Sequence, residues 1–123
     1  MKKISISAAG ITLVAELNDS PTATAIWQAL PVEGAANVWG EEVYFEIPVD
    51  MPQASTARQD MDVGELGYWP VGRAFCIFFE PTPVSTGEQP RAYSPVNPVG
   101  RILGDATLLR SVRDGEVVTL TEK

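Results

Sequence analysis

The side chains best placed to hold another molecule are Glu42, Tyr44 and Trp69. In the run from Glu42 to Ile47, Val43, Phe45 and Ile47 share one face of an expected strand, which leaves Glu42, Tyr44 and Glu46 on the other. Trp69 shares a face with Glu65 and Gly67, so Tyr44 and Trp69 both point away from the core face. With Phe75 or Phe79 from the next strand and a proline-rich loop folding across, they would wall an apolar groove with polar groups at its rim. Such a groove suits a small molecule or a proline-containing peptide. The candidate lining is Trp39, Glu42, Tyr44, Trp69, Phe75 and Phe79. The competing reading makes Trp39, Tyr44 and Trp69 a second hydrophobic layer beneath the helices and that loop.

Other chemistry is narrowed by what the chain contains. It has no histidine, which removes His-dependent triads, His-ligated metals and the commonest general base. Its one cysteine, Cys76, rules out an internal disulfide and lies in Phe75-Cys76-Ile77-Phe78-Phe79, where a small buried thiol is expected. Glu41 and Glu42 are neighbours, and neighbours on a strand face opposite ways, so only turn geometry could converge them as an acid-base pair. Glu41, Glu42, Glu46 and Asp50 follow no spacing known for oxygen-ligated cations, and neither a metal nor a cofactor is expected. No glycine-rich phosphate loop precedes a helix.

Charge is uneven along the 123 residues. Residues 33–65 hold eight acids and only Arg58 among bases, and the other eight acids and eight bases cancel, so the whole net charge of −7 belongs to that third of the chain. A phosphate backbone would be repelled there, which argues against nucleic acid. The stretch reads as a solvated acidic face or, alternatively, as a site for a cationic ligand. No apolar run approaches the ~20 residues that span a bilayer, and Lys2-Lys3 leads into alternating residues instead of a signal-peptide core; a cytoplasmic protein is expected. The length matches one domain over residues 1–123.

The elements that must position these residues are short. Ile4, Ile6 and Ala8 alternate with polar partners, as do Ile11, Leu13, Ala15 and Leu17 after Ala9-Gly10, the pattern of a tight hairpin. Asn18-Asp19-Ser20-Pro21 caps a helix whose apolar face is Ala23, Ile26, Trp27 and Leu30, stopped by Pro31. A second hairpin joins Val32–Val38 to Glu42–Ile47 through Trp39-Gly40-Glu41. Pro48 to Asp62 reads as a long exposed loop. Leu66–Trp69 and Ala74–Phe79 flank the turn Pro70-Val71-Gly72-Arg73, the latter strand covered on both sides. Residues 81–98 hold half the prolines and predict a shaped loop without a ladder. Val99–Leu103 returns to the sheet, Asp105 caps a short helix through Leu108, Leu109 and Val112, and Val117–Leu120 follows Asp114-Gly115. About eight strands and two short helices predict a mostly β, closed barrel, since closure removes exposed edges.

Three runs carry a resemblance: Asn37-Val38-Trp39-Gly40-Glu41-Glu42-Val43-Tyr44-Phe45; Gly64-Glu65-Leu66-Gly67-Tyr68-Trp69-Pro70 with Gly72; and Ala74 to Phe79 with Pro81-Thr82-Pro83. Together with Asn97, Gly100 and Ile102 they resemble a small prokaryotic cyclophilin-like domain family across nearly the whole chain, with Glu80 departing where many members have glycine. The resemblance implies a cyclophilin-type barrel with a helix at either end. It implies less about activity, because one fold hosts many functions. Cyclophilins proper are peptidyl-prolyl isomerases that use an arginine on a strand hairpin. The comparable hairpin here has none, and Arg58, Arg73 and Arg91, the nearest in sequence, fall in expected loops or turns. The leading expectation is non-catalytic binding of a small molecule or peptide, with weak isomerase activity as one alternative. The other is an interaction module in which Ala74–Phe79 or the 81–98 loop buries surface against an identical subunit or another protein.

Overall fold

The computed structural model describes residues 2–40, 42–79 and 90–123. The alternation at the start gives β1 (Lys2–Ala8) and β2 (Ile11–Leu17), whose ladder runs up to Ala8 opposite Ile11. Two residues turn the hairpin, and both Ala9 (φ 52°) and Gly10 (φ 77°) adopt the left-handed conformation that matches the twist of the strands. Helix α1 (Pro21–Ala29) is capped as its sequence implies: the Ser20 side chain accepts a hydrogen bond from the Ala23 amide at 3.2 Å, and Pro21 opens the first turn. Ala23 and Ile26 are buried, with Trp27 and Leu30 packed beside them.

Eight further strands and short elements complete the chain: β3 (Val32–Ala35), β4 (Asn37–Trp39), β5 (Glu42–Glu46), β6 (Arg58–Asp60), β7 (Glu65–Trp69), β8 (Ala74–Phe78), β9 (Arg91–Ile102), a 3₁₀ helix (Ala106–Ser111) and β10 (Val117–Glu122). Every strand pairing is antiparallel, in the order β3-β10-β1-β2-β9-β7-β8-β5-β4, with β6 added on β9.

The expected closed barrel of about eight strands is corrected, among the described residues, to a ten-stranded sheet that does not close. The reason lies at Ala36. Residues 32–38 read as one strand, but Ala36 leaves the ladder: its amide bonds Glu116 O and its carbonyl accepts from Gly115 N, both at 2.8 Å. The chain before it pairs with β10 and the chain after it with β5, so the two ends of the sheet are successive segments. Asp114 Oδ1 accepts from the Val38 amide at 2.6 Å, satisfying a donor that a continuous ladder would have used.

The two expected loops are also corrected. Within Pro48–Asp62, β6 pairs with β9, Val49 and Met61 are buried, and buried side chains hold the backbone. Asn97 accepts from the Ala54 amide (2.8 Å) and donates to Pro52 O and Thr22 Oγ1 (both 3.0 Å), while the Tyr68 hydroxyl donates to Val49 O. The proline-rich loop is, from Arg91 onward, the longest strand of the sheet; its part at 81–89 lies outside the described residues. Pro95 and Pro98 are accommodated because the β9 ladders shift register beside them, between Arg58 and Asp60 on β6 and between Leu66 and Gly67 on β7. The second helix is a 3₁₀ helix, capped by Asp105, which accepts from the Thr107 amide at 3.0 Å.

Strand β8 is buried at all five positions and divides the apolar interior in two. Phe75 and Ile77 face the main core with Ile4, Ile6, Leu17, Phe45, Leu66 and Leu120. Ala74, Cys76 and Phe78 face a smaller cluster with Met61, Ala92 and Val96 on the opposite side. This second face carries the candidate site.

Candidate functional site

The site is built by register. Tyr44 on β5 lies opposite Cys76 on β8, which lies opposite Gly67 on β7, so these positions form one row across the sheet. One step along, Glu46, Ala74 and Trp69 form the next row, and Glu42 pairs with Phe78. Glu42, Tyr44, Cys76 and Trp69 therefore emerge on the same face. Strand β9, crossing from β7, brings Ala92, Tyr93, Ser94 and Val96 over that face, and Trp39 at the end of β4 completes a pocket of about 260 Å³.

Four aromatic rings wall it, and successive rings stand nearly perpendicular. Trp39 and Tyr93 have centroids 5.9 Å apart at 78°, Tyr93 and Trp69 6.3 Å at 76°, and Trp69 and Tyr44 6.2 Å at 82°. Edge-to-face contacts of this kind fix ring orientation through the ring quadrupoles. Trp69 is held further by its indole N–H, which donates to Ser94 Oγ at 2.6 Å, and by Gly72, where a Cβ would stand 2.7 Å from the indole ring. A larger residue at 72 would push the indole aside.

Glu42 is the charged group of the pocket and is only 5% exposed. Burial pushes its carboxyl up to about 7, against an opposing pull from its hydrogen bond with the Cys76 thiol. The thiol itself is pushed well up by burial and by the neighbouring carboxyl, so it stays protonated and is not a nucleophile. No lysine or arginine lines the pocket among the described residues.

Of the six residues expected to line a groove, Trp39, Glu42, Tyr44 and Trp69 come together. Phe75 and Phe79 do not: both are buried in the main core on the other side of β8. Strand alternation puts Cys76, not Phe75, on the face of Tyr44 once the cross-strand register is fixed. Tyr44 and Trp69 also pack against the small cluster, so the second-layer reading and the groove reading describe the same rings from two sides. Sequence reasoning missed Tyr93 and Ser94. The available signal was the alternation of Ala92, Ser94 and Val96 between prolines. Glu41 lies outside the described residues, and Glu46 is exposed and paired with Arg73 at 3.5 Å.

The arginines considered for isomerase chemistry stand elsewhere. Arg58 grips Glu65 with both ends of its guanidinium (2.9 and 2.6 Å), Arg73 pairs with Glu46, and Arg91 lies 3.6 Å from Asp60. Strand β8, considered as an interaction surface, is covered by its own chain. No helix among the described residues is long and apolar enough to cross a membrane.

The sequence matches the family model described as cyclophilin-like over residues 2–121. The chain belongs to the cyclophilin-like family. A solved relative of this cyclophilin-like domain is a hypothetical protein from Archaeoglobus fulgidus, whose solution structure superimposes with a TM-score of 0.83 at 33% identity, covering 99% of this chain and 95% of that one. No curated protein matches the sequence.

Proposed function

We propose that this cyclophilin-like domain binds a small organic molecule in the pocket between β5, β7, β8 and β9, without catalysing a reaction on it. The observation that carries the reading is the meeting, among the described residues, of four aromatic walls with a single buried carboxyl in one concave site. Apolar walls with one or two placed polar groups are the usual composition of a ligand site, and a volume of about 260 Å³ lies just under the ~300 Å³ at which drug-sized pockets begin. A metabolite-sized ligand fits; a folded peptide segment would have to lie largely outside. For prolyl isomerisation the pocket offers, among the described residues, no guanidinium to a bound peptide, and a protease-coupled assay is expected to find no acceleration.

The test is calorimetric titration of the purified chain against a panel of small metabolites, with Trp69→Ala as the control. Trp69 is only partly buried, so its truncation is expected to cost less than the roughly 3–5 kcal/mol of a core tryptophan while abolishing binding. Silence across the panel, together with a fully core-like stability loss in Trp69→Ala, would contradict the reading.

A further inference from the structure

The chemistry of the pocket narrows what it would hold, on the premise that it is a binding site. Its only charged lining residue is Glu42, among the described residues, and the side-chain partner of that carboxyl is a neutral thiol. An anion would meet no base there. A bare hard cation would need about six oxygen ligands, and one carboxyl cannot supply them. A neutral ligand is compatible only with the protonated carboxyl, because an ionised Glu42, a residue only 5% exposed, would lack a compensating charge. A cation of organic character satisfies both halves of the lining, because ring faces attract positive charge within about 6 Å and lose little when water is excluded.

The walls also distinguish among ammonium groups. A primary ammonium must direct all three N–H donors to acceptors at once, whereas the lining is dominated by the rings of Trp39, Tyr44, Trp69 and Tyr93. Its side-chain oxygens besides Glu42, among the described residues, are two phenol hydroxyls and the Ser94 hydroxyl, which already accepts from the Trp69 indole. A substituted ammonium carries its charge on a shell of C–H groups and needs no such acceptors. We propose that the pocket selects a small organic cation with a substituted ammonium group, boxed by these four rings and neutralised by Glu42. The acidic balance of the chain, −7 overall, draws such ligands and repels anions.

The proposal carries a pH signature. A cation favours the ionised carboxyl, so its affinity rises with pH until Glu42 is ionised, near 7 in the empty site, and falls below that toward the affinity of the uncharged site, by at most about tenfold per unit. The other titratable side chains lining the pocket among the described residues are Tyr44, Tyr93 and Cys76, and burial keeps the Cys76 thiol protonated.

The experiment compares choline with its uncharged carbon counterpart, 3,3-dimethylbutan-1-ol, by calorimetry on the full chain at pH 8. Choline is expected to bind at least roughly tenfold more tightly than the alcohol, and Glu42→Gln to remove that advantage while leaving the alcohol unaffected. If Glu42→Gln does not fold, the wild-type chain titrated from pH 5 to 8 reads the same interaction. Equal affinity for the two compounds would overturn the cation proposal and leave the pocket as a binding site. Choline affinity that is flat with pH and unchanged in Glu42→Gln would overturn Glu42 as counter-ion and the proposal with it. Binding of neither compound would also overturn the proposal, and the metabolite panel then decides the site by itself.

Discussion

A carboxyl group enclosed to 95% on a strand is an expense that a core position would not tolerate. Glu42 illustrates how much of a site can be seen at the scale of one residue. Its place opposite Val43 and Phe45 followed from alternation alone, as did that of Tyr44, because period two is all that a strand face requires. Phe75 and Phe79 were legible as buried but not as to side, since every residue around them is apolar and only the pairing of Tyr44 with Cys76 settles the face. The raised carboxyl has a thermodynamic consequence. Its value of about 7 in the folded chain against 4.5 ordinarily means that the folded state holds the proton more tightly, so this contribution is complete below about pH 4.5 and is lost as pH rises through 7. The difference amounts to roughly 3 kcal/mol. Glu42→Gln is therefore expected to raise the melting temperature at pH 8 and to change it little at pH 4; equal effects at both would refute this role for burial.

At the scale of elements, the lesson is β9. Five prolines between 81 and 98 argued for a loop, yet from Arg91 the chain forms a strand of twelve residues. Proline lacks only its own donor, and the register shifts on β6 and β7 remove the need for it. Since β9 brings Tyr93 and Ser94 to the pocket, the misreading of one element hid one of the four rings of the aromatic box. Gly100 shows how tightly the strand is seated: a Cβ there would lie 2.1 Å from the Glu16 carbonyl oxygen and 3.0 Å from Leu17 Cα, both backbone atoms of β2 that cannot rotate away. Gly100→Ala is expected to destabilise the domain by about 3 kcal/mol or more, measurable by urea denaturation. A loss below about 1 kcal/mol would mean that β2 and β9 separate easily.

For the whole molecule, the resemblance led to the right family, while the expected closed barrel of about eight strands gave way to an open sheet of ten among the described residues. Local patterning fixes which residues are strands; it does not say which edges meet, and the break at Ala36 depends on the backbone of residues 115–116 far along the chain. The two apolar clusters on either side of β8 predict unequal stability. Strands β1, β2 and β10 cover the main core, whereas the three-residue β6 lies by the smaller cluster, paired along β9 and tied to β7 through the exposed Arg58–Glu65 pair. Hydrogen exchange is expected to release the β6 amides by local opening well before those of β1, β2 and β10; uniform protection would show instead that the two clusters open together.

Whether the aromatic box is a ligand site can be read from the three tryptophans, which offer a built-in comparison. Trp39 and Trp69 line the pocket, while Trp27 packs on the main core from α1. In ¹⁵N-resolved NMR spectra during a choline titration, the account predicts that the indole signals of Trp39 and Trp69 move together to saturation while that of Trp27 stays still. Equal movement of all three, or movement of Trp27 alone, would contradict it.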